Sequence, residues 1–155
     1  MDETSLHKLL KEQKHTPEQE LKVRKTVSTS EKGKRYLLQV TAPYESVVYQ
    51  IDGNIITVGN KCDKMVLIKK EINHWVQILI ELKGVDVKSA INQLESTLKN
   101  KGLQHKTNEE KRARVVAASF PSNRANPIME EAKIHFRKTY QCDFRGLKSD
   151  QSDKV

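Results

Sequence analysis

The chain has 155 residues, 28 Lys plus Arg against 20 Asp plus Glu, a net charge of +8 and a pI near 9.5. That length suits one domain with a single buried core, and no apolar run approaches the ~20 residues of a membrane-spanning helix. Cys62 and Cys142 stand far apart with no CxxC spacing, which argues against a disulfide framework and a zinc site; a soluble, cytoplasmic protein is expected.

The first 35 residues are charged and weakly apolar, with a short helical stretch around Ser5 to Glu12. Thr16-Pro17-Glu18-Gln19 reads as a capping threonine, a proline at the first helical position and a capping-box glutamine, so a helix is expected from Pro17, fading into a loop at "STSEKGK". "RYLLQV" (35–40) and "SVVYQI" (46–51) are strand-like, and Asp52-Gly53-Asn54 suggests a hairpin turning into "IITV". "KCDKMVLIKK" and "HWVQILIELK" follow as two antiparallel strands around Glu71-Ile72-Asn73. Val87, Ala90, Ile91, Leu94 and Leu98 then mark one face of a helix capped by Asp86. A polar connector, a buried strand over 113–120 and a helix from Asn126-Pro127 to about Tyr140 complete the core, with one further edge strand before the tail. The strand after the crossover helix should lie parallel to a central one. The expected division is a helical segment over 1–35, a mixed α/β domain over 36–145 and a disordered tail over 146–155.

Strand alternation puts Glu81 and Lys83 on one face. A turn centred near Ile72 pairs residues whose numbers sum to about 144, which sets Asp63 opposite Glu81 and leaves Val66, Ile68, Ile78 and Ile80 on the other side. Neighbouring carboxylates repel unless a cation lies between them, and oxygen ligands with room for water suit Mg2+ or Mn2+. Lys83 beside such an ion could position a water or offset charge on a phosphate. The chemistry indicated is phosphodiester hydrolysis.

Asp63 at the head of one strand, "ELK" at 81–83 ending the next, and the amphipathic helix that follows resemble the core of the PD-(D/E)XK nuclease superfamily, over roughly residues 46–140. The resemblance implies a restriction-endonuclease-like three-layer α/β core, its mixed sheet flanked by helices. It also implies metal ligation by Asp63 and Glu81, and Lys83 serving the attacking water. Cys62 stands where the family motif has proline. Members of the family often carry an acidic residue on the helix before the sheet; Glu20 or Glu18 would supply it here. Gln93, on the helix after the lysine, either reaches the site or is an ordinary surface residue. The expected activity is Mg2+-dependent cleavage of DNA by a homodimer or a subunit of a larger complex, in bacterial defence or DNA repair. The alternative is a non-catalytic nucleic-acid-binding or assembly subunit with the same fold.

By residue count, positions 101–155 carry 12 basic and 7 acidic residues, a local excess of +5. Lys111, Arg112, Arg114 and Arg124 around the last core strand, and Lys133, Arg137 and Lys138 on the final helix, either contact DNA phosphates or form a solvated face. The five histidines show no metal-ligand spacing. Trp75 reads as a core lid, and Asp52 as part of its turn.

Overall fold

A computed structural model describes residues 4–82, 86–120 and 127–155. Among these residues nine strands, β1 (Gln19–Val23), β2 (Thr26–Glu31), β3 (Lys34–Gln39), β4 (Glu45–Gln50), β5 (Lys64–Glu71), β6 (His74–Leu82), β7 (Asn108–Ala117), β8 (Cys142–Lys148) and β9 (Ser152–Lys154), accompany three α-helices, α1 (Leu6–Glu12), α2 (Val87–Lys99) and α3 (Ile128–Tyr140). The strands form a mixed six-stranded sheet in the order β1-β4-β5-β6-β7-β8 and a three-stranded sheet in the order β2-β3-β9. The molecule is mixed α/β. Among the described residues no helix is long and apolar enough to cross a membrane.

The β5–β6 hairpin has the register expected from its turn: Lys64 pairs with Ile80, Met65 with Leu79 and Val66 with Ile78. β6 to β7 and β7 to β8 are parallel pairs, joined through α2 and α3. Two crossovers of the same hand that step the same way along the sheet leave both helices on one face. On that face Leu94 and Leu98 of α2, Phe136 of α3 and Leu6 and Leu10 of α1 pack on Met65, Leu67 and Leu79. Gly146 of β8 permits the close approach of α3, because a Cβ there would lie 2.6 Å from Met129 Cε. The opposite face buries Val66, Ile68, Ile78 and Ile80 against Val27, Tyr36 and Leu38 of the smaller sheet. The large sheet is thus covered by helices on one side and by a second sheet on the other, which is why β5 and β6 are apolar on both faces.

Four expectations are corrected. Residues 19–23 form β1, not a helix: Gln19 pairs with Val48 and Val23 with Glu45, so sheet pairing with β4 prevails over the local capping signal. The Asp52-Gly53-Asn54 turn does not open a hairpin, because the amides of Ile55 and Ile56 both donate back to Ile51 O and β4 pairs with β1 and β5 instead. The strand expected over 113–120 begins earlier, at Asn108, so half of the supposed connector lies in the sheet. Residues 146–155 are not a free tail: β9 pairs in parallel with β3, and Asp153 is buried.

Candidate active site

Two strand ends and a hairpin tip converge where β6 leaves the sheet. Asp63 immediately precedes β5, its amide donating to Ile80 O at 3.1 Å and its carbonyl accepting from Ile51 N at 2.9 Å. The register carries it beside Glu81, and both side chains are buried, each residue 1% exposed. Asp63 Oδ2 accepts from Leu82 N at 2.8 Å, so the backbone of β6 holds that carboxylate in place. Thr97 of α2 secures the approach to β5: its hydroxyl accepts from Cys62 N at 2.8 Å and donates to Gln93 O at 2.8 Å. Gln93 itself faces Glu81. With its amide nitrogen turned to the carboxylate, the orientation that pairs donor with acceptor, it donates at 2.6 Å to Oε2 and 3.2 Å to Oε1.

The third carboxylate comes from an element absent from the expected fold. β2 and β3 form a hairpin in which Glu31 pairs with Lys34 across Lys32 and Gly33, both at positive φ (56° and 73°). Two consecutive residues in that region make the tight turn that matches strand twist, and only the second is a glycine. Lys32 therefore accepts an uncommon backbone conformation at the tip, a feature that clusters at functional sites. Its Nζ lies 3.1 Å from Asp63 Oδ1 and 3.9 Å from Glu31 Oε2. Burial opposes the charge on Lys32, but the hydrogen bond to Asp63 and the fields of Asp63, Glu81 and Glu31 hold its pKa above the ordinary lysine value.

Glu31 confronts Asp63 carboxyl to carboxyl. Desolvation, the contact with Asp63 and the Asp63 charge push its pKa up to about 7. Its Oε2 is buried without a hydrogen-bond donor. Two carboxyl groups so placed are joined by a shared proton or by a cation.

That pairing provides the test of fit for a metal. All the donors are oxygens, one of them an unsatisfied buried carboxylate oxygen, which is the chemistry Mg2+ and Mn2+ select. Among the described residues no group of three or more His, Cys, Asp or Glu side chains is gathered as a ready-made metal site. A dedicated cage is not required for Mg2+, which is commonly held by one or two carboxylates and keeps several waters. The residues fit the ion on that basis.

The other expected site residues divide. Lys83 and Arg124 lie outside the described residues. Glu20 is not brought to the cluster: its side chain is 64% exposed and lies 3.6 Å from Lys11. Glu18 binds Lys64 and accepts from Thr29 Oγ1 at 2.6 Å, tying β2 to β5. Glu31 is the acidic residue sequence reasoning missed. The alternation in Thr26–Glu31, with Val27 and Thr29 buried between more exposed neighbours, was the available signal, followed by a Lys-Gly turn.

Arg114 requires correction as a phosphate contact. It is 1% exposed, with Nε 2.7 Å from Asp153 Oδ2 and Nη2 3.0 Å from Asp143 Oδ2. Arg112 is engaged with Glu110 at 2.9 Å and donates to Lys154 O at 2.6 Å. Lys111 is partly exposed, while Arg137 and Lys138 are exposed in the last turn of α3. Lys133 pairs with Glu130 at 3.2 Å. Comparison of the chain with protein-family models, curated proteins and solved structures finds no match.

Proposed function

We propose that the chain is a metal-dependent nuclease of restriction-endonuclease-like architecture that hydrolyses DNA phosphodiester bonds. The observation that carries the reading is the joint placement of Asp63 and Glu81 on adjacent strand ends, both buried, beside the helix that follows β6. Burying two carboxylates at the end of a sheet is costly unless a cation balances them.

In this reading Asp63 and Glu81 would hold Mg2+ or Mn2+, with Glu31 next to them, and such an ion would lower the pKa of a water and neutralise charge at the phosphate. The chain's own residues do the rest. Leu82 N–H fixes one oxygen of Asp63 and Gln93 orients Glu81. Lys32 brings a flexible ammonium to the same carboxylates, able to screen them or to meet a phosphate oxygen. Lys83 keeps the role the family resemblance assigns, serving the attacking water. Of the basic residues singled out in the sequence, Lys111, Arg137 and Lys138 keep exposed or partly exposed side chains that could meet DNA phosphates.

The second reading, a non-catalytic binding or assembly subunit, is favoured by one observation: Lys32 already supplies a cation to Asp63. Incubation with supercoiled, linear duplex and single-stranded DNA in Mg2+ or Mn2+ separates the two. Cleavage by the native chain that Glu81→Gln and Lys83→Ala both abolish supports the nuclease. DNA binding without cleavage of any substrate supports the subunit.

A further inference from the structure

Lys32 stands where its turn does not favour a lysine. With Gly33 it forms the tip between β2 and β3, both residues at positive φ. Such a tip most readily takes Asn, Asp or Gly at its first position, and a lysine side chain offers that backbone no local support. What the position gives Lys32 is reach. The tip sets a half-exposed ammonium against an almost wholly buried carboxylate, the two side chains being 49% and 2% exposed, with Nζ 3.1 Å from Asp63 Oδ1.

That contact decides what an incoming ion has to replace. Asp63 Oδ2 accepts from Leu82 N at 2.8 Å, a donor fixed by the backbone of β6, whereas Oδ1 accepts from Lys32, a donor on a flexible four-carbon stem. The lysine is the partner that can give way. It carries one charge into the fields of Asp63, Glu81 and Glu31, and an oxygen of Glu31 still has no hydrogen-bond partner. A divalent cation carries twice that charge and binds several oxygens at once.

We propose that Lys32 is the resident counter-ion of this site, and that a divalent cation binds by displacing its ammonium from Asp63 Oδ1. The inference rests on the metal-binding reading of Asp63 and Glu81. Metal entry and release of the ammonium are then one event, and the lysine lowers the affinity of the site for the ion. The released ammonium stays on the hairpin tip beside the site, where it can meet a phosphate oxygen.

The test is isothermal titration calorimetry of the metal-free full chain with Mn2+, without DNA. Lys32→Asn removes the ammonium and supplies the residue this turn prefers before glycine, so the hairpin is kept. The expected result is saturable Mn2+ binding that Lys32→Asn tightens by about tenfold or more, the scale of one charge removed at contact distance. Glu81→Gln should weaken binding with or without Lys32. The gain should persist in 1 M KCl, where the screening length is about 3 Å and remote charges no longer act. Equal or weaker affinity in Lys32→Asn, with Glu81→Gln still weakening both chains, would overturn the displacement and leave the metal reading standing. A gain that disappears in 1 M KCl would overturn it as well, by assigning the effect to a distant field. No saturable Mn2+ binding by either chain would overturn the metal reading and this proposal together.

Discussion

The buried charges around Arg114 and those around Asp63 are built on opposite plans. Around Arg114 every group is answered: the guanidinium bonds Asp153, Asp143 and the carbonyls of Ala113 and Asp143, and the Tyr36 hydroxyl donates to Asp153 at 2.7 Å. Burial alone would raise the Asp153 carboxyl, but the Arg114 charge and the hydrogen bonds from Tyr36 and Arg114 hold it below its ordinary value. Among the described residues around Asp63, three carboxylates meet the half-exposed Lys32, the Lys64 charge also acts on Glu31, and one oxygen of Glu31 has no hydrogen-bond partner. A saturated network fixes structure, here the attachment of β9 and the edge strand β8 to the sheet. An unsaturated one retains capacity for something else.

The contrast predicts opposite costs when each cluster is cut. At the Asp63 cluster, Asp63→Asn or Glu81→Gln should lower metal-dependent cleavage by about 10²–10³, in line with the loss of a directed electrostatic group. Stability of the metal-free protein should hold or rise in the same variants, since one of several repelling carboxylates has gone. Cleavage assays beside urea denaturation read both quantities. A variant that unfolds would place these carboxylates with Arg114 as structural groups.

Arg114→Ala should do the reverse. Removing one partner of a buried ion pair typically costs about 3–5 kcal/mol because the other charge is left without compensation. Urea midpoints measure it, and Arg114→Met paired with Asp153→Leu should recover part of the loss. A cost near zero would mean that β9 is not held by this network.

The pH dependence separates the clusters more finely. Glu31 has a folded-state pKa of about 7 against 4.5 for the free side chain. The folded protein holds a proton that the unfolded chain releases, so the contribution is fully present below about pH 4.5 and lost as pH rises towards 7. Melting temperatures in EDTA should show this slope, and Glu31→Gln should flatten it. Mg2+ added at pH 7 should restore stability in the native chain if the carboxylates hold the ion.

What the sequence showed and what it hid follow the same division between local and distant causes. The β5–β6 register was legible because a short turn at Ile72 and unbroken aliphatic alternation fix pairing within twenty residues. α2 was legible because its apolar face repeats at helical spacing and Asp86 caps it, accepting from Ser89 N at 3.2 Å. β1 was not, because Thr16-Pro17 carries a good local helix signal and only pairing with β4, more than twenty residues away, overrides it. Glu31 was hidden for the same reason: nothing near residue 31 reports that its hairpin tip will meet Asp63. Arg114 was misread because alternation gives a face but not what covers it, and the cover is β3 and β9 from both ends of the chain.

The smallest expected effect comes from a third cluster, on the helices, which serves as a surface control. Glu95 of α2 accepts from the Tyr140 hydroxyl at 2.8 Å and contacts the His135 imidazole of α3. Burial raises the Glu95 carboxyl, but the hydrogen bonds from His135 and Tyr140 outweigh it and leave the pKa lowered. A lowered carboxylate pKa gives stability present above the ordinary range and lost as pH falls through the folded value. The His135 side chain is 51% exposed, however, so water screens the interaction and its contribution should not exceed about 1 kcal/mol. Glu95→Gln should therefore shift the urea midpoint only slightly, and mainly above pH 5. A loss as large as that of Arg114→Ala would show that satisfied hydrogen bonding, rather than burial, makes a polar cluster structural in this fold.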